Sequence, residues 1–427
     1  MPDSLPEDRS RYLDVVGGLT TFVTMAYIVI VNPAILSTSG TGIPFSGAAT
    51  ATVLVACSMT LLMGLYARLP FAVAPGMGIN AFVAYTIILR DGVPWQTAFG
   101  MVFWAGVLFL LLSVTPLRER LALAIPNGLR FGAAAGIGLL LTLLGLRAAG
   151  IIAPDAVTLV RPGLLDHRAV FLLAGVAIAA GLMRRRNPFA FLAAIAAVTA
   201  AAWVFGYTRP PAQIVGAPDF SSVLFKLDIR GALAPALLPS IIAILFTDLF
   251  DSVSTFMGVA TASGLVDKKG EPLRLRQGLI VDAWATLGAG LAGTSSGTAF
   301  VESIAGIRMG ARTGLASVVT ALCFLPCLFI APLAAAVPDY ATAPVLVLVG
   351  VAMFRMAREI GFDALEDSLP PFLTLVLIPL TLSITQGLLW GFVAHAVLYT
   401  ATGRAREVSA TMWVLALIAA ALLVLGR

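Results

Sequence analysis

The chain has 427 residues, 59% of them apolar and only 11% charged, with mean hydropathy +0.98 and a formal net charge of +5. A soluble domain carries about 25% charged residues, so this composition excludes a soluble enzyme or binding module and describes an integral membrane protein. The pI near 9.4 does not point to nucleic acid, because Lys and Arg are scattered through short loops between apolar runs.

Those runs show no apolar/polar alternation and read as helices rather than barrel strands, giving an all-α membrane protein. The opening stretch MPDSLPEDRSRYLD is acidic as well as basic and lacks a short apolar core before a small-residue cleavage site, so no cleaved leader is expected. In chain order the first seven spans fall near 17–37, 47–67, 71–89, 97–115, 131–149, 169–183 and 189–206. A polar stretch with Pro210, Pro211 and Pro218 follows. The second seven fall near 234–263, 278–293, 297–308, 314–335, 342–356, 370–385 and 388–402. A last apolar segment, 410–425, reads as an extra span or an interfacial helix.

With the N-terminus in the cytoplasm, 19 Lys and Arg fall on inner loops and 7 on outer ones, Arg427 aside. The inner set includes Arg118, Arg120, Arg130, Arg184, Arg185, Arg186, Lys268 and Lys269. The spans thus divide the chain into a first seven-span repeat over 1–206, a connecting outer loop over 207–232 and a second repeat over 233–427. An odd number of spans per half inverts the second half relative to the first, an architecture of many secondary transporters.

The third span of each half is broken. LPFAVAPGMGINAFVAY carries Pro75, Gly76 and Gly78, and GTSSGTAFVESIAGI is short and rich in Gly, Ser and Thr. Matched interruptions point to a midplane binding site, since unwound backbone survives in a bilayer only inside protein or along a cavity. Elsewhere Gly and Ala serve close helix packing, but that reading leaves Pro75 and Glu302 without a purpose.

Three acids stand out. Asp248 and Asp251 interrupt the apolar eighth span, and Glu302 follows the broken tenth. A carboxylate at bilayer depth costs several kcal/mol unless paired or solvated, which makes each a candidate functional residue. Asp248 and Asp251, three apart, share one helix face. Two close carboxylates oppose joint ionisation, which suits a proton carrier. Asp282 in GLIVDAWATL is another intramembrane acid and an auxiliary candidate. His395 either relays protons or bonds a neighbouring backbone; His167 is expected in a solvated outer loop. Tyr27 and Asn32 of the first span reach toward the pocket, or Asn32 before Pro33 simply ends the helix. Cys57, Cys323 and Cys327 read as small core residues, with no companion ligands for a metal.

Five blocks carry a family resemblance: TTFVTMAYIVIVNPAIL, PFAVAPGMGINAFVAY, FTDLFDSVSTFMGVATASGLVD, GTSSGTAFVESIAGIRMGARTGLASVV and ATAPVLVLVGVAM. Together, in order and over most of the chain, they resemble the purine permeases of the azaguanine-like branch of the nucleobase–ascorbate transporter superfamily. The resemblance implies about 14 transmembrane helices in a 7+7 inverted repeat, with a core domain moving against a gate domain. It implies short extended strands in the third and tenth spans that face each other around the nucleobase. It also implies proton-coupled uptake of adenine, guanine or hypoxanthine across the cytoplasmic membrane of a bacterium, often by a homodimer joined through the gate domain. No cofactor and no metal is implied.

By motif, Asp251 matches the substrate-binding acid of the eighth span, Glu302 the acid of the tenth and Asn80 the polar residue of the third. Phe300 holds a position that is aromatic in relatives and suits stacking on the base. Thr298 and Tyr27 complete the expected substrate-binding set. Glu302, Asp251 and Asp248 are the expected proton-coupling acids. The chain departs from the pattern at Ser254, Thr255 and the GTSSGT run, which bears on the choice of purine more than on the reaction.

The residue chemistry fits a neutral base. A carboxylate accepts from two adjacent N–H groups and an amide both donates and accepts. No Lys or Arg is expected in the pocket, which weighs against sulfate, bicarbonate or ascorbate. An intramembrane aspartyl protease needs acids converging from two helices, whereas Asp248 and Asp251 share one. A channel would show a polar pore stripe or repeated filter. A uracil or xanthine carrier of the same fold is the remaining alternative.

Overall fold

The computed structural model describes residues 7–115, 125–155, 159–263, 265 and 273–424. Arg118, Arg120, Lys268 and Lys269 of the inner-loop set lie outside the described residues. Within them, fourteen segments match the predicted spans. Seven stretches are by themselves long and apolar enough to cross a membrane, and the others are shorter, interrupted or less apolar.

The first span runs Glu7–Met25 and Ile28–Leu36, broken at Ala26 and Tyr27. The second is Phe45–Leu62, wound on through π-helical turns over Met63–Ala67. The third is a strand, β1 (Val73–Pro75), then a helix over Met77–Ala81 that continues as π-helix over Phe82–Arg90. The fourth to seventh are Trp95–Val114, Asn127–Ala148, His167–Arg184 and Ala190–Val204. The eighth and ninth are Leu238–Ser263 and Leu275–Ala292. The eleventh begins at Gly314–Phe324 and is broken beyond it near Pro326 and Pro332. The twelfth, thirteenth and fourteenth are Asp339–Phe354, Leu365–Thr381 and Ile384–Ala401. A final helix, Ala410–Val424, packs against the fourteenth span. Between the fifth and sixth spans lies a hairpin of β2 (Ile152–Asp155) and β3 (Leu159–Pro162), which the sequence reading did not foresee.

The tenth span mirrors the third: β4 (Gly297–Ala299), then a short helix over Ser303–Arg308. β1 and β4 pair antiparallel, Val73 with Ala299, Ala74 with Thr298 and Pro75 with Gly297. The packing obeys the same exchange of halves. The first span packs on the eleventh as the eighth packs on the fourth, and the second on the eleventh as the ninth on the fourth. The fifth packs on the thirteenth as the twelfth on the sixth, and the sixth on the seventh as the thirteenth on the fourteenth. Adding seven to each span number reproduces its partners, and equivalent strands meet antiparallel. Both are what a two-fold axis in the membrane plane produces, so the fold is a 7+7 inverted repeat. Spans one to four and eight to eleven form one packed group; five to seven and twelve to fourteen form the other.

Without hydrophobic drive between helices in lipid, close backbone approach supplies much of the cohesion. At the crossing of the first and tenth spans, a Cβ on Gly306 would stand 2.1 Å from Thr21 Oγ1 and 2.2 Å from the Gly17 carbonyl. Gly306→Val should therefore cost about 2 kcal/mol or more in thermal unfolding. Gly181→Ala, with nothing within 4 Å of the added carbon, should leave the unfolding temperature unchanged or slightly higher.

The connecting stretch is pinned rather than loose. Asp219 accepts from Ser46 Oγ at 2.8 Å and from the Ser221 and Ser222 amides at 3.1 Å, and its own N–H donates to Thr50 at 3.0 Å. Hydrogen bonds from Ser222 first, then Ser46 and Ser221, hold its carboxyl at about 2, below the ordinary 3.8. A depressed native value stabilises above the unfolded value and is lost as pH falls through the native one. Asp219→Ala should thus lower stability at neutral pH, and the difference from wild type should vanish on acidification from about 4 to about 2.

Candidate functional site

The paired strands form the floor of the site, and their backbone finds partners inside the protein. Gly76 N donates to Ser296 O at 2.8 Å and Phe300 N to Ala72 O at 2.9 Å, extending the β1–β4 ladder at both ends. The outer edge of β1 is satisfied by side chains. Thr60 accepts from Val73 N and donates to Val73 O, both at 2.9 Å, and Ser303 Oγ accepts from Ala72 N at 3.0 Å. Ser317 of the eleventh span lies 2.7 Å and 2.8 Å from the Leu69 and Phe71 carbonyls. A Cβ on Gly297 would meet Ala285 Cβ at 2.8 Å, so the ninth span can lie against β4 only with glycine there.

The acids gather around these strands from three spans. Asp251 and Glu302 are both partly exposed and lie within electrostatic reach of each other. Glu302 Oε1 accepts from the Tyr27 hydroxyl at 2.6 Å; the break in the first span puts the tyrosine there. Asp248 is fully buried and accepts from Thr286 of the ninth span. Thr286 also lies 3.0 Å from Ser296 Oγ and 3.2 Å from the Gly297 carbonyl. A hydroxyl has one proton, so Thr286 serves one of these acceptors at a time. Asp248 Oδ1 has no partner. Asp282, one turn before Thr286, is fully buried with neither oxygen bonded, although Ser252 and the Ala299 backbone lie alongside. It stands within reach of Asp248 and Asp251. The four acids thus form two layers, Asp251 with Glu302 and Asp248 with Asp282 behind them.

The expected polar partners are tied differently. Asn80, fully buried, donates to Asn32 Oδ1 at 2.8 Å, and only its Oδ1 is unpartnered. Asn32 donates to Thr52 at 2.7 Å and Thr294 at 2.9 Å, so it is the hub of a network over four segments. Its helix does not end there; it continues through Pro33 to Leu36. Thr298 is buried in β4 with its hydroxyl 3.3 Å from Ser252 Oγ. Phe300 is buried immediately after β4. The side chain of Ser254 lies outside the described residues.

Other candidates lie apart. His395 packs on Tyr399, ring centroids 4.1 Å apart, and lines a separate cavity of about 130 Å³ with Glu359 and Asp367. His167 is not a free solvated residue: it stacks on Tyr207 at 3.9 Å with Phe171 and Tyr340 edge-on. The Arg130 side chain of the fifth span borders the eighth span. The Arg130 guanidinium lies 5.3 Å from the ring centroid of Phe250, the neighbour of Asp251.

Residues 14–390 match the family described as Xan_ur_permease, Permease family. The chain is 38% identical over 406 residues to adenine permease AdeP of Escherichia coli, covering 95% of this chain and 91% of that one. It is 37% identical over 414 residues to guanine/hypoxanthine permease PbuO of Bacillus subtilis, covering 95% of each. The transmembrane domain of a cyanobacterium bicarbonate transporter, BicA, superposes with a TM-score of 0.67 at 19% identity, covering 90% of this chain and 98% of that one. That likeness confirms the inverted-repeat fold and says nothing of substrate. The molecule is a multi-pass membrane transporter and not an intramembrane enzyme. The chain belongs to the Xan_ur_permease family, within the nucleobase–ascorbate transporter superfamily, in the branch with named adenine and guanine/hypoxanthine permeases.

Proposed function

We propose that the protein is a proton-coupled symporter that imports purine nucleobases such as hypoxanthine, adenine or guanine across the bacterial cytoplasmic membrane, with its N-terminus inside. The observation that carries this reading is the Asp251–Glu302 pair beside two broken spans whose strands pair. A carboxylate there accepts from adjacent purine N–H groups, and Asp251 is the principal base-binding acid. Glu302 carries the coupled proton, with Asp248 in the same titrating cluster. The acceptor oxygen of Asn80, the Thr298 hydroxyl, the Phe300 ring and Tyr27 complete the site. The relatives named for adenine, guanine and hypoxanthine support purines over uracil or xanthine.

In this reading residues 1–206 and 233–427 are the two repeats and 207–232 the connecting loop. Spans one to four and eight to eleven form the core domain, and the remaining spans form the gate domain, through which two copies associate. Proton and base bind together, the pocket sheds one negative charge, and the core carries both past the gate.

The test is uptake of labelled hypoxanthine, adenine, guanine and uracil into proteoliposomes, with and without an inward proton gradient. Purines, and not uracil, should accumulate and compete with one another. Uptake of uracil alone would move the chain to the alternative carrier class.

A further inference from the structure

Among the described residues, two edge-on aromatic contacts join the two groups of helices. Tyr27 at the break of the first span meets Phe191 of the seventh, centroids 5.0 Å apart at 73°. Phe246 of the eighth span meets Phe392 of the fourteenth at 6.4 Å and 80°. Exchanging the halves turns one pair of spans into the other, so the contacts occupy equivalent seams. Only the first is linked to an acid of the site, through the 2.6 Å bond from Tyr27 to Glu302. The fully buried tyrosine therefore has a polar anchor in one group and an apolar anchor in the other.

We propose that Phe191 is a positioning residue: by holding the Tyr27 ring, it makes protonation of Glu302 a signal to the seam between the two groups. This rests on the reading of Glu302 as the proton-linked acid. An ionised Glu302 draws the tyrosine hydroxyl in a charge-assisted bond about twice as strong as its neutral counterpart. A proton arriving on a Glu302 oxygen removes that charge and adds an O–H that needs its own acceptor. The hydroxyl of Tyr27 then loses its fixed position, and an edge-to-face contact depends on ring angle. The seam of the first and seventh spans is thus tight with Glu302 ionised and loose with it neutral. Among the described residues, the titratable groups facing Glu302 are Tyr27 from the first span and Asp251 from the eighth. The seventh span, AFLAAIAAVTAAAWV, brings none.

Two measurements test this. In proteoliposomes Phe191→Leu should lower the gradient-driven accumulation ratio of hypoxanthine at least about fivefold while the KM for equilibrium exchange stays within about twofold. Phe191→Tyr, which keeps an aromatic edge, should restore it. A Phe191→Leu protein that accumulates like wild type overturns the proposal. So does one that loses exchange and accumulation together without rescue by tyrosine. The second measurement needs no transport and so separates this inference from the purine reading. Amide hydrogen exchange over residues 185–195 in nanodiscs should be faster at acid than at alkaline pH, corrected for intrinsic rates. Glu302→Gln should exchange at the acid-like rate at both. Equal pH dependence in wild type and Glu302→Gln would overturn it.

Discussion

Glu302→Gln should abolish gradient-driven accumulation of purine, bringing the internal concentration to the external one, while exchange of base for base persists. Glutamine keeps the oxygen that accepts from Tyr27 at 2.6 Å but binds no proton, so the carrier becomes indifferent to the gradient. Asp251→Asn should behave differently. It replaces a two-acceptor group by one acceptor and one donor, and the donor faces purine N–H groups. Affinity in exchange should fall about 100-fold, the cost of a lost charged hydrogen bond with a mismatched one in its place. Uptake and exchange across a range of substrate concentrations separate the two outcomes. If both variants accumulate purine as wild type does, these roles are wrong.

Asp282→Asn should produce the second large effect, and in opposite directions for stability and activity. A fully buried carboxyl with neither oxygen bonded is costly to keep, and an amide of the same shape costs less to desolvate. The unfolding free energy should rise by about 1–3 kcal/mol. Transport should fall at least about tenfold, because Asp282 lies within reach of both Asp248 and Asp251 and sets the charge of the inner layer. Thermal unfolding in detergent and initial uptake rates check the two halves of this prediction. A variant that is less stable yet fully active would make Asp282 a structural residue.

Much of the fold was legible because bilayer thickness fixes span length, and apolar runs in this chain have few interruptions. Pro75 and the GTSSGT run marked the two places where helix gives way to strand. The π-helical turns after Leu62 and Ala81 were not legible, since hydropathy does not record which carbonyl an amide chooses. Nor was the hairpin of β2 and β3, whose residues carry no strong turn dipeptide. The structure brings together the intramembrane acids that the sequence singles out, but their internal pairing was not legible. Asp248 and Asp251 are only about 60° apart around the helix. That angle still lets Asp251 approach Glu302 while Asp248 turns to Thr286. Asn32 was ambiguous for a local reason: a following proline usually ends a helix, and its three tertiary partners come from segments far along the chain.

The most direct test of the central claim is proton movement driven by the base itself. Proteoliposomes enclosing a pH-sensitive dye, with no initial pH difference and with the membrane potential clamped, receive external hypoxanthine. The account predicts that the lumen acidifies with purine entry, that uracil has no effect, and that Glu302→Gln leaves the lumen pH unchanged while labelled purine still exchanges. Purine entry without acidification in folded wild-type protein would contradict proton coupling and the role of Glu302 with it.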